Sequence, residues 1–159
     1  MFFFIKGGLM ESCPSDFSIF YHWQEGSLPP PDHYEYDIQA GPEAVVHLSY
    51  QPDYSGPGTP TWETSLPLAP GALEAIYAAA HACRAFRKKW RQRNPAWVGG
   101  ELYGFTLTLN GQRVEIPANL EEKDAGQIQP LIQAVRALIP PAIWQEMQTR
   151  REAYQQEKS

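Results

Sequence analysis

The dipeptide Asn110-Gly111, set between two alternating runs, constrains the fold of this chain more than any other local feature. A two-residue type I′ hairpin turn needs positive φ at both central positions, and this pair supplies it. A turn there pairs Leu109 with Gln112, Leu107 with Val114 and Phe105 with Ile116. It also sets Thr108 against Arg113 and Thr106 against Glu115. One face of the hairpin is then apolar and the other polar, as in a strand pair half-buried against a core. Gly99-Gly100 and Gly104 mark points where the first strand can bend or admit a close backbone neighbour.

Upstream, the period of two recurs. Phe17, Ile19, Tyr21 and Trp23 alternate with polar residues until the loop Gly26-Ser27-Leu28-Pro29-Pro30-Pro31. Tyr34, Tyr36 and Ile38 then share one face, with Glu35, Asp37 and Gln39 on the other. Gly41-Pro42 turns the chain into a run with Val46, Leu48 and Tyr50 facing in and Val45, His47 and Ser49 facing out. After a Gly- and Pro-rich loop from Pro52 to Pro60, Trp62, Thr64 and Leu66 form the inner face of a fourth strand.

Two stretches carry the helical period instead. Pro70-Gly71 opens a long helix predicted over residues 71–92, with Ile76, Ala80, Cys83, Phe86 and Trp90 toward the core. After Pro117, Leu131, Val135 and Leu138 recur at helical spacing, with Ile132 and Ile139 beside them. Pro140-Pro141 must interrupt that helix, because proline lacks the backbone donor and clashes with the preceding turn. Pro141 suits the first position of a new helix bearing Ile143, Met147 and Tyr154. The order implies one α+β domain, an antiparallel sheet of a four-strand N-terminal meander plus the Asn110-Gly111 hairpin. The long central helix and the Pro-interrupted C-terminal helix pack on one face.

At 159 residues the chain fits a single domain, expected over residues 14–155. Residues 1–13 read as a flexible extension and 156–159 as a frayed tail. Met10 is an alternative start. The apolar run Phe2 to Ile5 is too short for a signal-peptide core, and no stretch reaches membrane-spanning length. With two cysteines and neither a disulfide framework nor a CxxC motif, a reducing cytoplasmic home is expected.

The run CRAFRKKWRQR concentrates Arg84, Arg87, Lys88, Lys89, Arg91 and Arg93 in an acidic protein of net charge -5. On a helix, Arg84, Arg87, Lys88 and Arg91 would follow the i, i+3, i+4, i+7 spacing of one face. Such a stripe is first a solvated or self-paired face at a helix C-terminus. Its sharper alternative is a patch for an acidic protein surface, while the net charge argues against nucleic acid.

The outer sheet face would display His22, Glu35, Asp37, His47, Ser49 and Glu63. In a meander His47 is expected opposite Glu35 or Asp37. Two histidines with carboxylates form the ligand set of many metal sites and suit acid-base work, so His22, Glu35, Asp37 and His47 are the metal candidates. The polar default of a solvated sheet face stands against that. His33 and His81 read as surface or boundary histidines, and Cys83 as an inert buried thiol.

No GxSxG elbow, phosphate loop or dinucleotide fingerprint occurs. Trp23, Tyr50, Tyr54, Trp62 and Trp97 fall at strand ends or in loops, where amphipathic rings often line a groove. Trp90 and Trp144 are expected on helix faces toward the core. The expected function is a non-catalytic protein-interaction or binding module, with no cofactor, acting through Arg84, Arg87, Lys88, Arg91, Trp62 and Trp97. The alternative is a small enzyme or metal-binding protein that uses the outer sheet face.

Overall fold

In the computed structural model of the protein, the described residues are 3–5, 8–10, 12–26, 28–86, 89–93 and 101–159, the first two stretches by backbone alone. β1 (Phe3–Ile5) and β2 (Gly8–Met10) pair antiparallel as a separate two-stranded sheet, with Phe3 opposite Met10.

The expected meander forms from β3 (Ser18–Gln24), β4 (Glu35–Ala40), β5 (Val45–Gln51) and β6 (Trp62–Pro67). After α1 (Ala72–Ala82) come β7 (Leu102–Leu109) and β8 (Gln112–Ile116), then α2 (Glu122–Arg136) and α3 (Pro141–Lys158). The six strands lie in the order β6-β5-β4-β3-β7-β8, every neighbouring pair antiparallel. The C-terminal hairpin therefore docks on the free edge of β3.

The hairpin register is the expected one, Phe105 opposite Ile116 and Leu109 opposite Gln112. Asn110 and Gly111 take φ of 50° and 73°. Gly104 answers a close backbone approach, because a Cβ there would lie 3.3 Å from the Ile116 carbonyl oxygen and 3.5 Å from the Ala118 nitrogen. Gly99-Gly100 lie outside the described residues.

One sheet face is buried along the predicted alternation: Ile19, Tyr21 and Trp23 on β3, Tyr36 and Ile38 on β4, Leu48 and Tyr50 on β5. Against it pack Ile76 and Tyr77 of α1, Ile128 and Leu131 of α2 and Met147 of α3, all buried. Pro141 takes the first turn of α3, which runs on through Lys158 and so includes most of the segment 156–159. Among the described residues, no helix is long and apolar enough to cross a membrane.

The helix predicted over 71–92 is shorter. α1 ends at Ala82, and Arg84 sits in the left-handed region at φ 63°. Arg84 N–H donates to the His81 carbonyl at 2.9 Å, and Ala85 N–H to the Ala80 carbonyl at 2.9 Å. These paired bonds make a Schellman turn, with buried Ala80 and Ala85 forming its apolar contact. Glycine normally announces that turn, and here arginine occupies its left-handed position. The apolar period continued past the turn because Phe86 folds back to meet Phe17, Tyr77 and His81 edge-on or tilted. Trp90 accordingly sits beyond the helix, half-buried against the core.

Candidate functional site: an aromatic pocket beneath the C-terminal helix

The outer sheet face does not bring its histidines together. His22 lies opposite Asp37, and Asp37 opposite Ser49, so the expected pairing of His47 with Glu35 or Asp37 does not form. The turn from Gly41 to Ala44, with Ala44 at φ 60°, sets His47 opposite Gln39 instead. His22 and His47 are thus two strands and one row apart, about 10 Å across the sheet and about 7 Å along it. Each candidate also has its own local partner. His22 Nδ1 meets Asp37 Oδ1 at 2.5 Å, His47 Nδ1 meets Ser65 Oγ at 2.6 Å, and Glu35 meets His33 Nε2 at 2.9 Å. His33, expected as a surface or boundary histidine, is buried and stacked on Tyr54 with ring centroids 3.7 Å apart.

Among the described residues, no group of three or more histidine, cysteine, aspartate or glutamate side chains is placed to hold a metal ion. The row His22, Asp37, Ser49 also has the wrong order for nucleophilic catalysis, since a triad needs the imidazole between hydroxyl and carboxylate. The Asp37 hydrogen bond raises the His22 pKa above the ordinary imidazole range, with partial desolvation opposing it.

The basic run forms no helical stripe, because α1 ends before it. Arg84, Lys89, Arg91 and Arg93 are exposed. Arg87, Lys88 and Trp97 lie outside the described residues. Around Arg91 the chain runs beside the start of α2: Arg93 N–H donates to the Asn119 carbonyl, Glu121 N–H to the Arg91 carbonyl, and Arg91 N–H to the Asp124 carboxylate at 2.8 Å. The segment thereby lies beside the protein's own acidic residues Glu121 and Asp124.

The inner face holds a different constellation. Register places Tyr103, Trp23, Tyr36, Tyr50 and Trp62 in one row across β7, β3, β4, β5 and β6. The rings of Trp23, Tyr36, Tyr50 and Trp62 stand nearly parallel. Trp23 and Tyr36 have centroids 5.0 Å apart at 18°, Tyr36 and Tyr50 6.2 Å at 9°, and Tyr50 and Trp62 5.9 Å at 14°. Tyr34 stacks on Tyr50 at 5.8 Å just outside the row.

α3 crosses above this row, and Trp144, Gln148 and Arg151 recur at i, i+4 and i+7 along it. Trp144 meets Tyr36 edge-on at 4.8 Å, so it belongs to a pocket wall as well as to the core. Arg136, from the end of α2, lies over the Tyr36 and Trp144 rings at 5.9 and 5.4 Å, and Arg151 over the Tyr34 ring at 3.9 Å. The opposite rim carries Glu25 and Glu101, and Glu101 accepts the Trp23 indole N–H at 3.2 Å. Between them remains a cavity of about 360 Å³.

Burial governs the phenols of this site. It raises the Tyr36 pKa to about 12 and shifts Tyr21, Tyr34 and Tyr50 the same way. Arg136 near Tyr36 and Arg151 near Tyr34 and Tyr50 pull in the opposite sense without reversing the shift. The hydroxyls therefore stay protonated near neutral pH and serve as donors. The Tyr36 hydroxyl is buried beside that of Tyr21, whose hydrogen bond slightly opposes the upward shift, while the Arg151 Nε is buried with no hydrogen-bond partner among the described residues.

No known family model matches the chain, and no curated protein matches it. Of the rings expected to line a groove, Trp23 and Tyr50 line this pocket and Trp62 stacks at its edge, whereas Tyr54 packs on His33. Sequence reasoning missed Tyr34, Tyr36, Trp144, Arg136, Arg151, Glu25 and Glu101. One signal was available for the row: Trp23, Tyr36, Tyr50 and Trp62 all flank the two long loops, and in a meander those strand ends share one edge of the layer.

Proposed function

We propose that this protein is a non-catalytic binding module whose ligand is a small molecule held in the aromatic pocket. The observation that carries it is the cavity between the aromatic row and α3, lined by five rings and four charged side chains. Its volume falls within the range of about 300–1,000 Å³ typical of ligand pockets, and aromatic rings and charged groups converge on it.

An acidic protein surface is the second partner, carried by the exposure of Arg84 and Arg91. It ranks below the pocket because the latter segment already runs beside Glu121 and Asp124. The free thiols Cys13 and Cys83 fit a cytoplasmic site of action.

Gln148 lines the pocket from the exposed side of α3, so Gln148→Trp fills the cavity without touching the core. In a screen of a chemically diverse compound set by thermal melting and ligand-observed NMR, the unaltered protein should yield binders that this variant loses while melting at a similar temperature. Binders retained by the variant, or none for either protein, would refute the pocket as the site.

A further inference from the structure

We infer that the pocket takes a small zwitterion with a flat apolar body, the chemistry that a free aromatic α-amino acid presents. This rests on the binding reading above and concerns what that same site selects.

The charges of the pocket are separated rather than paired. Among the described residues, neither Arg136 nor Arg151 makes an ion pair with a carboxylate. The Arg136 guanidinium lies over the Tyr36 and Trp144 rings, and that of Arg151 lies over the Tyr34 ring and donates to the Asp32 carbonyl at 3.1 Å. Across the cavity, Glu25 accepts the Gly26 N–H and Glu101 the Trp23 indole, both neutral donors. Two cations on the helix side and two anions on the sheet side thus line one cavity without meeting.

That arrangement selects by charge. A ligand with only an anion satisfies the guanidiniums and displaces water from the carboxylates without replacing it, and a ligand with only a cation does the reverse. A zwitterion meets both sides. A carboxylate gains the planar guanidinium donors of Arg136 and Arg151. An ammonium finds Glu25 and Glu101. The body between the two charges would lie along Trp144 and the tyrosines that line the cavity, against which a flat ring packs. At about 360 Å³ the cavity is small among ligand pockets, which favours a free amino acid over a nucleotide or an extended peptide.

Three probes share one ring and differ only in charge: L-phenylalanine, 3-phenylpropanoate without the amine, and 2-phenylethylamine without the carboxylate. Ligand-observed NMR titration against the full chain should rank phenylalanine at least about tenfold above either analogue, the consequence of pairing one more charge. Arg136→Gln should remove its advantage over the amine, and Glu101→Gln its advantage over the acid. Both side chains are exposed, so neither change threatens the core. Equal affinity for the three probes, or an advantage untouched by both variants, overturns the zwitterion. If no probe binds while screened compounds bind in a manner that Gln148→Trp abolishes, the zwitterion is overturned and the pocket reading stands. If Gln148→Trp changes no binding at all, the pocket reading itself falls.

Discussion

The carboxylate of Asp16 accepts the backbone N–H of Gly111 at 2.7 Å, across 95 residues of chain, and its second oxygen takes the Asn110 N–H at 2.7 Å. The tip of the β7-β8 hairpin is thereby tied to the entrance of β3, the strand on which β7 docks. These two bonds, Gly111 first and Asn110 second, lower the Asp16 pKa. A lowered carboxylate pKa contributes stability above the unfolded value, about 3.9, and loses it as pH falls through the folded value. Asp16→Ala should therefore lower the urea midpoint near neutral pH. The deficit should shrink toward the most acidic pH at which both proteins still fold. A deficit independent of pH would rule out the ionised carboxylate as its source.

Arg84 holds a conformation that arginine disfavours by roughly 1–2 kcal/mol and glycine does not. Replacing it with glycine should stabilise the protein by about 1 kcal/mol, less the extra freedom glycine gains in the unfolded chain. Arg84→Ala keeps the Cβ and should change little. Urea unfolding of both variants checks this, and a destabilised Arg84→Gly would mean that the arginine side chain holds the turn.

His22 predicts the opposite pH sign from Asp16. Its pKa is raised chiefly by the Asp37 hydrogen bond, so the stabilisation is full below the unfolded value, about 6.5, and is lost as pH rises through the folded value. The pair is half-exposed, so solvent screening keeps the effect small. NMR titration of the His22 ring should show its pKa fall in Asp37→Asn. An unchanged value would assign the shift to another neighbour.

The two thiols should both react slowly in the folded state, for different reasons. Cys83 is buried, while Cys13 is half-buried with a pKa raised to about 11 by desolvation first and Glu74 second. Near pH 8 its thiolate fraction falls on the order of a hundredfold below that of an ordinary cysteine of pKa about 8.5. Mass spectrometry after a timed pulse of iodoacetamide should find little label at either residue until denaturant is added. Rapid labelling of Cys83 would show that α1 opens locally.

The alternation from Phe17 to Leu66 and the Asn110-Gly111 turn made the strands, the hairpin register and the inward faces legible, because strand period and turn chemistry are local. The end of α1 was not legible, since a left-handed arginine carries no glycine signal and Phe86 returns to the core from beyond the turn. His22 and His47 were both correctly assigned to the outer face. Their separation depended on the register set at Gly41–Ala44, which no residue type in that turn specifies.

The candidate site divides in the same way. Sequence alone determined that Trp23, Tyr36 and Tyr50 face inward, that Pro141 begins a helix, and that the meander and the hairpin belong to an antiparallel sheet covered by helices. Only the tertiary structure decided that β7 pairs with β3, that five aromatic residues share one row, and that Arg136 and Arg151 stand over the rings opposite Glu25 and Glu101. Those relations join residues far apart in the chain, and their geometry follows from inter-strand register and from the angle at which α3 crosses the sheet. Both are properties of packing, to which no single segment commits in advance.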